Sequence, residues 1–255
     1  MELLYPNYIN TLSMFNVLVG GTSGLHNILT DDLRFQYVTQ SCNSDAIISI
    51  FQVNFASTQT VSKIILKGIN WKEFYIQANG QWFTLTANDQ RLNFSQNSDT
   101  SMYFDVYSKY CTSLTFVITA TQVANQEKAI SYLAVSDEVT DFGGRIPSAQ
   151  KYRPMYKAKK VLHELADGSY RMQTFARKTS IDVSFDFLTG AVKNTLKNAF
   201  DNQTDFIFAP FGTYTGWDGI SFPCIWANDF EFFAVSDNNS NVGYSGSIKL
   251  LEINT

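Results

Sequence analysis

Glu73-Phe74-Tyr75-Ile76-Gln77-Ala78-Asn79-Gly80-Gln81-Trp82-Phe83-Thr84-Leu85-Thr86 is the stretch on which the fold turns. Two runs rich in aromatic and apolar residues flank an Asn-Gly pair. Both central positions of a type I′ turn need a positive φ, which Asn and Gly tolerate best, so the stretch reads as a tight β-hairpin. Upstream, Ile47 to Phe55 places Ile47, Phe51, Val53 and Phe55 on one face, and Val61 to Lys67 alternates on an Ile64/Leu66 face. Downstream, the polar stretch from Asn88 to Ser101 reads as a loop. Met102–Tyr107, Leu114–Thr121 and Ala129–Val135 then resume the strand pattern. The segment before Gln40, with Gly20-Gly21-Thr22-Ser23-Gly24, reads as irregular. Short strands and frequent turns predict a β-sandwich or jelly roll.

The pattern changes near residue 140. Asp141-Phe142-Gly143-Gly144-Arg145-Ile146-Pro147 carries turn residues and a proline, and reads as a domain boundary. The predicted domains are residues 1–142 and 143–255. In the second, Tyr156–Leu165 and Ser169–Ala176 flank Asp167-Gly168 as a second hairpin, and Ile181 to Phe187 alternates strictly. Leu188, Val192, Leu196 and Phe200 then recur every four residues, which predicts one helix near 188–200 with Thr189 as its N-cap. Strands at Asp205–Ala209, Ser221–Trp226, Glu231–Val235 and Ser245–Ile253 complete a mostly β chain: an N-terminal jelly roll, then a β-sandwich-like domain with a single helix.

Composition narrows the function. Hydrophobic residues make up 45% of the 255 and charged residues 16%, with 21 Phe and 13 Tyr, which describes a packed chain rather than a disordered one. A net charge of −4 argues against a general nucleic-acid binder. No apolar run approaches the ~20 residues of a membrane span, and Met1 to Pro6 lacks the basic region of a secretory signal. Synthesis in a reducing cytoplasm is the expectation. Cys42, Cys111 and Cys224, odd in number and far apart, fit buried thiols better than a disulfide framework.

Catalytic chemistry is hard to find. The two histidines, His26 and His163, have no His or Cys partner at metal-ligand spacing. Asp31-Asp32, Asp137-Glu138 and Asp201 with Asp205 could supply paired carboxylates, but they also read as ordinary loop acids. Asp137, Glu138 and Asp141 could bind calcium, yet lack the spacing of an EF-hand loop. The expectation is a chain with no enzyme activity, metal or cofactor. Loop aromatics are a usual basis of sugar binding. Of Trp71, Trp82, Trp217 and Tyr214, the pair Trp217 and Tyr214 in a glycine-rich loop is the better candidate, and Trp82 reads as core. The basic run Lys157, Lys159 and Lys160 reads as a solvated strand face or a subunit interface.

Two resemblances follow. Across residues 40–138, the Ile47–Phe55 strand, Val61 to Gly68, Phe74-Tyr75-Ile76 with Trp82, and Ser113 to Ile118 resemble discoidin-type, galactose-binding-like jelly rolls. That resemblance implies loops at one end that bind glycans, lipids or proteins. Across residues 153–255, the Ile181–Phe187 strand, the Leu188–Phe200 helix, Asp205 to Pro210, Phe222 to Trp226 and Ser247 to Ile253 are similar to phage tail proteins of the minor tail protein M and distal tail protein group. That resemblance implies a homo-oligomeric ring with other tail proteins as partners, located in a virion. The leading expectation is therefore a structural component of a phage-like tail. The alternative is a glycan-binding module or adhesin with a host-surface glycan as its partner, and the expectation is no nucleic acid and no membrane insertion.

Overall fold

The computed structural model describes residues 2–4, 7–30, 34–82, 93–141, 152–164, 169–201, 206–210, 221–236 and 242–253. In chain order, the strands of the first half are β1 (Glu2–Leu4), β2 (Phe15–Val19), β3 (Tyr37–Val38), β4 (Ser49–Lys67), β5 (Trp71–Ala78), β6 (Gln81–Trp82), β7 (Asn93–Phe94), β8 (Ser101–Thr121), β9 (Ala129–Ile130), β10 (Tyr132–Ser136) and β11 (Glu138–Asp141). The second half holds β12 (Tyr152–Glu164), β13 (Tyr170–Leu188), helix α1 (Gly190–Asp201), β14 (Phe206–Ala209), β15 (Phe222–Trp226), β16 (Phe232–Ser236) and β17 (Val242–Glu252). The protein is mostly β: a jelly-roll-like N-terminal sandwich followed by a curled sheet with one helix.

The sandwich is organised by two long strands. β4 pairs with β8 antiparallel from Ser49↔Ile118 to Lys67↔Ser101, and the register shifts between Asn54 and Gln59 and again between Val61 and Lys63. Such bulges bend a ladder and raise its twist. Both halves of each strand send side chains into one core. The pattern predicts separate strands at Ile47–Phe55 and Val61–Lys67, and at Met102–Tyr107 and Leu114–Thr121; each pair is one continuous, bulged strand. Ile47 falls in the preceding turn and is exposed, whereas Phe51, Val53 and Phe55 are buried as their spacing predicts.

Between the layers lie Phe51, Trp71, Phe74, Phe104, Phe116 and their aliphatic neighbours. Phe51 stacks on Phe116 with ring centroids 4.8 Å apart, and Trp71 meets Phe74 edge-on at 5.3 Å. Trp71 is therefore core, not a sugar platform. The β5–β6 hairpin forms as expected, with Asn79 at φ 51 and Gly80 at φ 73. The Asn79 carboxamide fixes the neighbouring loop as well, since its Oδ1 accepts from the Thr112 N–H at 2.8 Å, the Thr112 hydroxyl and the Ser113 N–H. Within the polar stretch read as a loop, β7 pairs with β5, and Phe94 stacks on Phe74 at 4.7 Å.

The other large sheet runs β11-β1-β14-β15-β17-β13-β12, with β16 also on β17. Two of its strands, β1 and β11, come from the segment assigned by sequence to the first domain; the boundary at 142/143 itself lies outside the described residues. Leu188 ends β13 instead of opening the helix, because it still pairs with Tyr244. The helix begins at Gly190, and Thr189 caps it, its Oγ1 accepting from the Val192 N–H at 3.4 Å. α1 buries Leu196 and Ala199 against the sheet residues Ile181, Val183, Phe185, Phe206, Phe208, Ile248 and Leu250. Phe200 meets Trp226 edge-on at 5.5 Å. Cys42, Cys111 and Cys224 are buried thiols.

One feature of this sheet projects. β13 pairs with β17 only from Ser180↔Leu251 onward, whereas β12 and β13 remain paired to Glu164↔Tyr170. The stretch from Tyr156↔Thr179 to that end is a two-stranded arm, about 30 Å long at ~3.3 Å per residue.

Candidate functional site

The loops that follow β2, β3, β4, β7 and β8 are stitched together at one end of the sandwich. Lys128 is the centre of the stitching. Its side chain is 1% exposed, and its ammonium donates to the carbonyl oxygens of Cys42 (2.9 Å), Ser44 (2.7 Å) and Ile47 (2.8 Å). Its backbone N–H donates to Thr39 Oγ1, and its carbonyl accepts from the Thr39 N–H. Burial pulls the Lys128 ammonium below the usual lysine range, opposed by the nearby Cys42 and Asp45. Asp45 closes the same loop. Its Oδ1 accepts from the backbone N–H and hydroxyl of Thr121, both at 3.2 Å, and its Oδ2 accepts from the Asn125 N–H. Desolvation raises the Asp45 carboxyl. The N–H groups of Thr121 and Asn125, the Thr121 hydroxyl and the Lys128 charge outweigh it and hold the group below the usual carboxylate range.

A second set of bonds ties the remaining loops. Asn70 Nδ2 donates to the Glu127 carbonyl, while its Oδ1 accepts from the Ala129 N–H. Gln122 Nε2 donates to the Asp99 carbonyl at 3.0 Å. Asn97 Nδ2 donates to the carbonyls of Trp71 and Asp99. Carboxamides suit this work because each offers a donor and an acceptor to two different loops.

On this scaffold sits Arg34-Phe35-Gln36. Phe35 is 55% exposed, and the Arg34 guanidinium lies 5.8 Å from its ring centroid. The segment is held on both sides: Asn27 Nδ2 donates to the Gln36 carbonyl at 2.9 Å, and Gln36 Nε2 donates to the Gly68 carbonyl at 3.1 Å. Next along the chain, Tyr37 is fully buried, and its hydroxyl donates to the Gly21 carbonyl at 2.6 Å. Burial, then the adjacent Cys42, pushes this phenol up to about 12, so it stays a donor at neutral pH. The outcome is a large, exposed apolar ring with a cation beside it, next to a residue, Gln36, that is hydrogen-bonded on two sides. Such a ring can stack on the C–H face of a sugar while polar neighbours meet its hydroxyls.

The N-terminal sandwich is similar to a chitosan-binding module of a chitosanase/glucanase from Paenibacillus sp. IK-5, with TM-score 0.39 and 10% identity over 52% of this chain and 100% of that one. A fucose-binding module of Streptococcus pneumoniae matches at TM-score 0.38 and 11% identity, over 52% of this chain and 98% of that chain. A Clostridium perfringens module solved with GlcNAc-α-1,4-galactose matches at 0.36 and 12%, over 48% and 88%. No protein-family model matches the chain. No curated protein matches it either.

The residues singled out by sequence fare unevenly. Trp217 and Tyr214 lie outside the described residues. Lys157, Lys159 and Lys160 lie on β12 within the arm, but their side chains also fall outside what is described. His26, in the short 3-10 turn Leu25–Ile28, and His163, on β12, are both exposed. Asp137 accepts from the Ser62 hydroxyl at 2.7 Å, and Asp201 pairs with Lys197. Asp31, Asp32 and Asp205 are outside the described residues. Among the described residues no group of three or more His, Cys, Asp or Glu side chains could hold a metal ion. Also among them, no helix is long and apolar enough to cross a membrane. Sequence reading missed Arg34-Phe35-Gln36, since an aromatic in an irregular stretch carries no periodicity. Its one signal is a Phe beside an Arg just before a strand.

Proposed function

We propose that the N-terminal sandwich is a carbohydrate-binding module that holds a glycan at its loop end, with the Phe35 ring as the stacking platform. The observation that carries this reading is the exposed Phe35 ring at the loop end, beside Gln36, whose carbonyl and side chain are hydrogen-bonded to Asn27 and Gly68. A backbone that is ordered before binding loses less conformational freedom on contact. The test is titration calorimetry after a glycan array that includes chitosan oligomers, fucosides and GlcNAc-α-1,4-galactose. Phe35→Ala should weaken the best ligand by at least tenfold, about 1.4 kcal/mol, with an unchanged thermal midpoint. Retention of full affinity in Phe35→Ala would move the site elsewhere on the sandwich.

The second reading is a structural component of a phage-like tail. The projecting β12–β13 arm favours it, because long extensions from a sheet suit contacts between subunits. The two readings are compatible, as a particle subunit can carry a glycan-binding domain. Electron microscopy of the purified protein tests the second: rings or filaments support it, and dispersed monomers count against it.

A further inference from the structure

The Asn79-Gly80 turn places an electrophile next to a nucleophile. The Asn79 carboxamide carbon and the Gly80 backbone nitrogen are spaced along the chain to close a succinimide ring, and Gly80 has no side chain to hinder the approach. Both residues are exposed, and nothing lies within 4 Å of where a Gly80 Cβ would stand. Water therefore reaches the pair freely. The turn lies at the end of β5 opposite Asn70 and Trp71, so it takes no part in the loop end that presents Phe35.

Two features of the closed hairpin bear on that ring closure. The first is the backbone. Asn79 at φ 51 and Gly80 at φ 73 are the central residues of a type I′ turn, with Ala78 opposite Gln81 and Gln77 opposite Trp82. In such a turn ψ of the first central residue is about +30°, which sets the Gly80 nitrogen about 150° from Cβ around the Cα–C bond. Ring closure needs the two eclipsed, and bringing them there pulls β6 off β5. The second is the side chain. Asn79 Oδ1 accepts from the Thr112 N–H at 2.8 Å and from the Thr112 hydroxyl and Ser113 N–H at 3.1 Å, while the Asn79 N–H donates to the Ser113 carbonyl at 3.0 Å. Among the described residues the carboxamide acts only as an acceptor, through Oδ1. A carboxylate would supply the same acceptor with a charge, and charge-assisted bonds are the stronger ones.

We propose that Asn79-Gly80 is a site of spontaneous deamidation, that the closed hairpin holds the reaction back, and that the turn re-forms on the aspartyl product. Local opening of the hairpin frees the pair. Hydroxide then takes the Gly80 N–H proton, and the nitrogen attacks Asn79 Cγ. The N–Cγ bond forms, the Cγ–Nδ2 bond breaks, and Nδ2 leaves as ammonia with a proton from water. Water hydrolyses the succinimide, and nothing is oxidised or reduced in either step. Addition of water at Cγ restores the normal backbone with an aspartyl side chain, whose carboxylate accepts from Thr112 and Ser113. Addition at the main-chain carbonyl carbon gives the isoaspartyl form, whose extra backbone methylene does not fit a two-residue turn. The closed hairpin thus takes back one product and not the other. The reaction is independent of the glycan reading.

The experiment ages the full chain at mildly alkaline pH, folded and in concentrated urea, and follows the Asn79 peptide by chromatography and mass spectrometry. Deamidation should be at least tenfold slower in the folded chain than in urea, because only the opened fraction reacts. Gln81→Pro removes a backbone donor from the pair opposite Ala78 and leaves Asn79-Gly80 untouched. Without urea its rate should rise towards the rate in urea, with far-UV circular dichroism unchanged. Asn79→Asp should melt at or above the wild-type midpoint. In urea-aged chain that has been refolded, amide exchange in the peptide spanning Asn79 should be slow in aspartyl molecules and fast in isoaspartyl ones. Equal rates in the folded chain and in urea overturn the proposal, as does an Asn79 that stays intact in urea. So does a folded Gln81→Pro variant that keeps the wild-type rate; if that variant does not fold, the wild-type comparison decides alone. An Asn79→Asp variant that melts below wild type, or equal protection of the two products, overturns the return of the turn on the aspartyl form.

Discussion

Replacing Lys128 with Met keeps the aliphatic stem and removes the charge, and so isolates what the ammonium does for the loop end. In the native chain three carbonyl oxygens, those of Cys42, Ser44 and Ile47, converge on Nζ at 2.7–2.9 Å. A hydrogen bond from a charged donor contributes about 1.5–3 kcal/mol, so three give a gross figure of about 5–9 kcal/mol. Against this stands the cost of burying the ammonium, of the order of several kcal/mol, which is the same burial that lowers the group's proton affinity. Met escapes that cost but strands the three acceptors. Those of Ser44 and Ile47 sit in a partly buried turn where water can reach them, whereas the Cys42 bond is buried. The balance is a loss of about 2–4 kcal/mol. Urea unfolding followed by tryptophan fluorescence, with linear extrapolation, measures it. Amide exchange at Thr39 and Lys128 should quicken in parallel, since these two exchange backbone and side-chain bonds. A loss below about 1 kcal/mol would refute the reasoning, because it would mean that the cage is no better than solvent for the charge.

Other outcomes follow from single contacts. Asp45→Asn should flatten the acid limb of the stability curve. With its folded pKa held below the unfolded value, Asp45 contributes stability that is present above about pH 4 and lost as pH falls through the folded pKa, and urea midpoints between pH 2 and 5 would show the change in slope. Phe51→Ala removes a ring stacked on Phe116 and packed against Tyr37 and Trp71, and should cost about 3–5 kcal/mol in the same urea assay. Asn79→Ala strands the Thr112 and Ser113 donors and places Ala at a positive φ. A loss of about 1–3 kcal/mol is expected, and a smaller one with Asn79→Gly, by thermal melting.

What was legible in the sequence was local. The Asn79-Gly80 turn, the buried alternation of Phe51, Val53 and Phe55, and the Leu196 stripe with its Thr189 cap each rest on neighbours in the chain, and each is present. What was not legible depends on distant contacts. Polar residues between Phe55 and Val61 read as a turn, yet β8 carries the ladder past them through a bulge. Lys128 reads as an ordinary surface charge, because nothing in its own vicinity shows that the loop from Cys42 to Ile47 closes over it. Arg34-Phe35-Gln36 has no pattern at all and becomes a candidate platform only through hydrogen bonds to Asn27 and Gly68.

Val61 to Lys67 shows the same limit and carries the last expectation. Ile64 and Leu66 enter the sandwich core, so the alternation predicts that Lys63, Ile65 and Lys67 face water. Instead all three are buried, because the curled sheet lies on that face. Ile65 joins Tyr103, Tyr132 and Ala134 of the sandwich in one cluster with Leu4, Ile207 and Ala209 of the other sheet. The two lysines are accommodated, not expelled. Lys63 pairs with Asp105 at 3.1 Å, and Lys67 donates to the Ser221 carbonyl at 2.8 Å beneath the Tyr132 ring. A fragment of residues 1–141 would therefore uncover an apolar face, strip Lys67 of its Ser221 acceptor and leave β1 without β14. The lysine stems could partly cover that face once their heads reach water, so the fragment should fold. It should nonetheless unfold at lower urea than the full chain and bind a hydrophobic dye that the full chain does not. Equal midpoints for fragment and full chain would show that the buried lysine face contributes nothing to the sandwich, and that the seam between the sheets is a contact without coupling.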